Sequence, residues 1–211
     1  GALCDLVKNR GRFATLAASG KGAQGLMLVK PEDLTRKNVY KLLTGIVVPR
    51  PIAWISTISE EGIRNLAPFS FFSPVSSKPA LVSVSIGHHK DRKKDTLINI
   101  ERTGEFVINT VSEECVKQMD RTAEAFEESV DEFVEAGLTA EPSAIVNPPR
   151  VKEAKLAMEC RLYKALSLEA DFTLVIGQVV AFHIADELYI PDCKIDHAKA
   201  KIVGRMAGNY T

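Results

Sequence analysis

The sequence predicts a mainly β domain, an antiparallel barrel with a few added helices. Three observations lead there. Segments of alternating apolar and polar residues recur along the chain; in Ala80–Ile86, Val82, Val84 and Ile86 share one face while Leu81, Ser83 and Ser85 share the other. The connections between such segments are of hairpin length and carry turn residues, as in Glu60-Glu61-Gly62. Helical periodicity occurs only in brief stretches. There is no internal repeat and no low-complexity linker, so the expectation is an N-terminal arm over 1–30 and one domain over 31–211.

The elements follow in chain order. Pro31-Glu32-Asp33-Leu34 has an early proline and acids in a first turn, which predicts a helix running to about Leu43 and stopping near Gly45. Ile46–Val48 and Ile52–Ser59 read as one extended stretch interrupted by Pro49-Arg50-Pro51, which belongs at an edge or bulge. The return through Asn65-Leu66-Ala67-Pro68-Phe69-Ser70 is neither a clean strand nor a clean helix. After the strand Ala80–Ile86, Thr96–Arg102 reads as a short helix closed by Gly104. Glu105–Val111 reads as a strand, and Ser112–Phe126 as a helix with Ser112 as N-cap. The acidic stretch 124–136 suits a solvated helical or irregular lid, and Asn147-Pro148-Pro149 a turn. Lys155–Glu169 and Phe172–Asp186 form a long hairpin, and the tail from Gly204 is too glycine-rich for regular structure.

Composition excludes several classes. The 211 residues are 45% hydrophobic and 26% charged, within the range of ordinary globular domains. Lys+Arg and Asp+Glu balance at 27 each, so the basic excess of a duplex-binding protein is missing. Apolar runs fall far short of the roughly 18 residues that span a bilayer, and no secretory pattern opens the sequence. Cys4, Cys115, Cys160 and Cys193 are widely spaced, without a CxxC or metal-ligand pair. Cys115 and Cys160 sit among apolar residues as core fillers, and a cytoplasmic location is the expectation. Of the four histidines, His88 and His89 are adjacent and point apart in an extended chain. His183 alternates with Val179 and Ala181 and is expected buried and satisfied, so no metal site is expected.

Two segments suggest chemistry. Residues 49–73 combine a half-buried strand with hydroxyls, a carboxamide and aromatics around Pro68, a surface suited to a flat heteroaromatic ligand with polar edges. A β-hairpin with a proline-containing bulge accounts for the same residues. Residues 85–96 leave a strand through Gly87, gather four cations in five residues and open a helix, which suits a phosphate. A solvated basic loop is the alternative. Asp95 would repel a phosphate, so it is expected to cap its own helix or to bond a sugar-like hydroxyl.

A flat ring and a phosphate together describe flavin mononucleotide, and at this point the motifs VPRPIAWIST, NLAPFSFFSPVSSKPALVSVSIG, KDTLINIERTGEFVINTVS, GQVVAFH and GRMAGNYT form a set. In this order and spacing the chain resembles the flavin reductase-like family, the flavoredoxin-like FMN-binding split barrels. The resemblance implies a six-stranded antiparallel split β-barrel and a homodimer with FMN near the subunit interface. It implies that Ser56, Thr57, Asn65, Leu66, Ala67 and Ser70 line the isoalloxazine. Ser85, Ile86, Lys90, Lys94, Asp95 and Thr96 would surround the ribityl chain and phosphate. Trp54 would stand beside the ring or in the core and Arg50 near the flavin; Arg205 and Tyr210 would border the flavin or the subunit contact.

The function so implied is an FMN-dependent oxidoreductase of the flavin reductase type, with NADH or NADPH as transient donor. The cofactor performs the chemistry, so no catalytic side chain is nominated. No GxGxxG follows a strand, so the nicotinamide donor would dock over the flavin rather than in a Rossmann site. Two alternatives stand beside it: an FMN-carrying electron-transfer module reduced by a protein partner, and a related barrel with another flavin-like cofactor or none.

Overall fold

The computed structural model describes residues 25–89, 92–168, 171–208 and 210–211. The chain divides into two compact units, 1–46 and 47–211. Most of the expected N-terminal arm, residues 1–24, lies outside the described residues. The first unit carries a 3-10 turn, Pro31–Asp33, and helix α1, Arg36–Ile46. The Thr44 hydroxyl returns to the Tyr40 carbonyl at 2.9 Å within α1. This helix runs through Gly45 and takes in Ile46, so Ile46 does not begin the extended stretch the sequence suggested.

The second unit is built on one antiparallel sheet. Its strands are β2 (Ala53–Ile58), β3 (Arg64–Phe69), β4 (Phe72–Ser77), β5 (Ala80–Gly87), β6 (Glu105–Asn109), β9 (Leu156–Leu168) and β10 (Phe172–Ile184), in the order β3-β2-β6-β9-β10-β5-β4; the short strands β1 (Arg50–Pro51), β7 (Ala140–Glu141) and β8 (Arg150–Val151) lie outside it. The edge strands β3 and β4 are joined by Ser70 and Phe71 alone. Seven flat strands would hold those edges about 29 Å apart, whereas three Cα steps reach about 11 Å. The sheet must therefore curl until its edges meet. Both edge strands carry a proline, Pro68 and Pro74, where no ladder N–H is lost.

Curling gives the sheet an inside. Ala53 and Ile55, Phe69, Val82, Val84 and Ile86, Phe106 and Ile108, Cys160, Val175 and Val179 fill one core, closed by Leu97 and Ile100 of helix α2, Asp95–Thr103. Gly104 ends α2 in the left-handed conformation, at φ 72°, and its N–H returns to the Ile100 carbonyl. A second core lies on the other face of β2 and β3, where Trp54 and Leu66 meet Val111, Cys115, Met119, Phe133 and Val151. Strand β2 is thus buried on both faces, its polar Ser56 and Thr57 included.

The mainly β class and the antiparallel barrel agree with the sequence, with seven strands in the main sheet rather than six. Several local expectations need correction. Asn65–Phe69 is regular strand, because pairing with β2 outweighs the proline at an edge. Residues 112–126 are not one helix but a 3-10 turn, Glu113–Cys115, followed by α3, Val116–Arg121. Ser112 is held in a bridge with Ile202 and makes no side-chain cap. In the acidic stretch, α4 (Glu132–Glu135) starts from an Asp131 cap and buries Glu132 and Phe133. The tail is not irregular throughout: Gly204–Arg205 pairs with Arg50–Pro51. Among the described residues no helix is long and apolar enough to cross a membrane.

Candidate functional site

A cleft partly open to solvent lies at the N-terminus of α2. Strand β3 supplies Asn65, Ala67 and Pro68; the start of α2 and the loop before it supply His89, Lys94, Asp95 and Thr96. The far wall is the segment from Thr122 to Phe126, with Glu132. β3 fits this place because its alternation sends Leu66 to the second core and leaves Asn65 and Ala67 on the cleft side.

Helix α2 opens with Lys94 at its N-cap and no side-chain cap bond, so first-turn N–H groups remain for an anion. Lys94 is partly buried, with Nζ 5.4 Å from the centre of the Phe69 ring, and burial pushes its pKa down. Asp95 does not make the expected cap: its Oδ1 takes Arg92 at 3.0 Å, and Arg92 also reaches Glu128 at 3.5 Å.

Beneath the cleft runs a buried polar network. The Thr96 hydroxyl donates to Asn65 Oδ1 at 2.6 Å, and Thr57 Oγ1 lies 3.3 Å from the same oxygen. Asn99 Nδ2 donates to Thr57 Oγ1 at 3.0 Å. Asn65 Nδ2 donates to Glu132 Oε1 at 2.8 Å, and the Leu66 N–H to Glu132 Oε2 at 3.0 Å. Because the Thr96 hydroxyl proton is committed here, Thr96 has its backbone N–H, not its O–H, to offer a ligand. Burial raises the Glu132 carboxyl to about 7, against the pull of the Leu66 N–H and Asn65, and the Asp95 carboxylate pushes it the same way.

The structure gathers Asn65, Ala67, Lys94, Asp95 and Thr96 around the cleft, with Thr57 behind them in the network. It places other candidates elsewhere. Trp54 has no exposed surface, lies in the second core and donates its indole N–H to Thr122 Oγ1 at 2.9 Å. Ser56 faces away from Thr57, as strand alternation requires, and donates to the Pro149 carbonyl at 2.5 Å. Leu66 and Ile86 are fully buried, in the second and first cores. Ser85 is partly buried, opposite Leu174, with its N–H on the Phe71 carbonyl at 2.8 Å. Ser70 lies in the two-residue link between the sheet edges, 3.5 Å from Arg50 Nε. Arg205 stacks on Tyr210, 4.4 Å from its ring centre, and Tyr210 donates to Asp120 at 3.0 Å. Lys90 lies outside the described residues.

Sequence reasoning missed Glu132, Asn99, Thr122 and Phe126. The signal for Glu132 was Phe133: an aromatic that must be buried carries its neighbour inward on a short helix. Cation, uncapped helix start and apolar wall (Ala67, Pro68, Phe126) together suit a phosphate ester that also carries a flat ring. They include no nucleophile with an adjacent base.

A sequence profile described as a flavin reductase like domain matches residues 45–192. A protein from Aquifex aeolicus is 43% identical over 173 residues, covering 82% of this chain and 88% of its own. The solved structure of nitrilotriacetate monooxygenase component B from Bacillus cereus superposes with a TM-score of 0.86 at 36% identity, covering 89% of this chain and 96% of its own. That of 2-nitrobenzoate 2-nitroreductase from Pseudomonas fluorescens gives 0.81 at 32% identity, covering 88% and 91%.

Proposed function

The chain belongs to the flavin reductase-like family, and from that premise we propose that it is an FMN-binding oxidoreductase. It transfers hydride and electrons from NADH or NADPH to a small acceptor. Bound FMN supplies the redox chemistry. The protein binds, orients and shields it. Lys94 and the first-turn N–H groups of α2 hold the phosphate through charge-assisted bonds. Ala67, Pro68 and Phe126 give the ring an apolar wall, and the network through Asn65 keeps that wall in one geometry. The observation that carries this reading is the partly buried Lys94 at an uncapped helix start, in the same cleft as that wall. Similarity to a protein named a nitroreductase supports reductive chemistry.

The proposal includes a homodimer. Phe182 and Tyr163 on the long hairpin are 63% and 56% exposed, a cost that a subunit contact would remove. Sedimentation should return twice the 23.1 kDa chain mass.

FMN is added to the purified chain and the excess removed. A retained yellow chromophore that bleaches on anaerobic addition of NADH or NADPH is the expected result. Retained flavin that responds only to a ferredoxin-like protein donor overturns the nicotinamide step in favour of an electron carrier. A colourless protein overturns the FMN site.

A further inference from the structure

Glu132 stands where two clefts meet. It lines the one beside Lys94 and Thr96, and a second lined by Ser59, Asn99 and Arg102. It is 7% exposed. Both carboxylate oxygens already accept N–H bonds, from Asn65 and from Leu66. The donors behind Asn65 run in one direction: Asn99 to Thr57, Thr57 and Thr96 to Asn65, Asn65 to Glu132. Its two direct partners, Asn65 and Leu66, therefore both present donors to Glu132. A proton added to that carboxylate finds no acceptor among them, and the open direction is the cleft.

We propose that Glu132 is a positioning residue of the flavin site, which fixes the Asn65 carboxamide and takes up one proton when a phosphate ester fills the cleft. The inference rests on the flavin reading given above. A phosphate brought beside a buried carboxylate meets strong repulsion at low local dielectric. Protonation removes that charge and turns Glu132 into a donor. Other charged groups among the described residues line the same two clefts. Asp95 and Arg102 come from α2, Lys94 from its N-cap, His89 and Arg92 from the loop before it, and Glu61 from the turn between β2 and β3. Asp131 is paired with Arg64 of β3, and Glu124 and Glu128 come from the segment leading into α4. Asp95 is a like charge and holds the proton on Glu132 more firmly; Lys94 attracts the same ligand without needing a proton.

The sign follows. Binding that takes up a proton weakens as pH rises, by up to about tenfold per pH unit for one proton. The test is calorimetric titration of FMN into the full chain in buffers of different ionisation heat, with affinities measured between about pH 6 and 8. Wild type should show proton uptake that Glu132→Gln lacks, and the variant's affinity should be flatter with pH. Titration of the FMN phosphate itself enters both profiles equally, and Lys94→Gln and His89→Gln measure those residues' share. Should Glu132→Gln not fold, Asp95→Asn must move the midpoint of the wild-type profile to lower pH; an unmoved midpoint overturns the proposal. FMN bound with equal proton counts by wild type and Glu132→Gln also overturns it and leaves the flavin site standing. No FMN binding by wild type overturns the flavin reading, and the proton coupling with it.

Discussion

Lys94 is a cation held partly out of water at the start of a helix, where the backbone itself favours an anion. Burial alone makes its charge costly, as the direction of its pKa shows. A ligand anion offsets that cost. Lys94→Gln should leave the fold intact and raise the FMN dissociation constant about 10- to 100-fold, the worth of one charge-assisted bond. Fluorescence titration of FMN measures this, and an unchanged constant would place the phosphate elsewhere. The residues around Lys94 were legible to different degrees. Asn65 and Thr96 were nominated because short polar groups between apolar neighbours on a strand and at a helix start suggest a lined site. Glu132 was hidden among Glu124, Glu127, Glu128, Asp131 and Glu135, mostly exposed acids that look alike in the sequence.

At the scale of elements, the long hairpin shows how a strand positions a loop. Glu159 on β9 has no exposed surface. It accepts the N–H groups of Ala144 at 2.7 Å, Ile145 at 2.7 Å and Val146 at 2.9 Å, and meets His183 Nε2 from β10 at 2.5 Å. Its loop leads to Pro149, whose carbonyl holds Ser56. Burial by itself would raise the Glu159 carboxyl, but these N–H groups and the His183 ring hold it down at about 2. A lowered carboxyl stabilises the fold fully above its ordinary value of 4.5, and the contribution is lost as pH falls towards about 2. Glu159→Gln presents an amide N–H to backbone donors and should cost about 3 kcal/mol near neutral pH. Its acid unfolding should also depend less on pH across that window; denaturant titrations at several pH values check both. The hairpin itself was legible, since β-alternation persists over Leu156–Leu168 and Phe172–Ile184. The region of α3 was not: its pieces are short, and tertiary contacts such as the Ser112–Ile202 bridge decide where they begin.

The whole molecule depends on closure of the sheet. Curling brings Gly177 of β10 against the fully buried Phe106 of β6, so close that an added Cβ would overlap the ring at Cζ. The register between β9 and β10 shifts at this glycine, as expected where a strand bends sharply. Gly177→Ala should therefore destabilise the protein by about 1–3 kcal/mol, the usual cost of overpacking. Thermal melts should show a fall of about 2–4 °C per kcal/mol for a chain of this size. An unchanged melt would mean that Phe106 has room to move and that closure is looser than this packing implies. The sheet order itself was not legible, because β2 pairs with β6 and β6 with β9 across long stretches of chain.

The amino-acid sequence alone determined the class of the fold, the faces of its strands and the stretch of chain that carries the candidate site. Those features are local: they follow from alternation, turn chemistry and a cluster of cations before a helix. Tertiary structure decided which of the nominated residues share the cleft and which are buried as packing, as Trp54 and Ser56 are. It also decided that one acid among many is buried beneath the site. Side chains far apart in sequence become neighbours only when the sheet closes, and burial is then set by the partners that closure supplies.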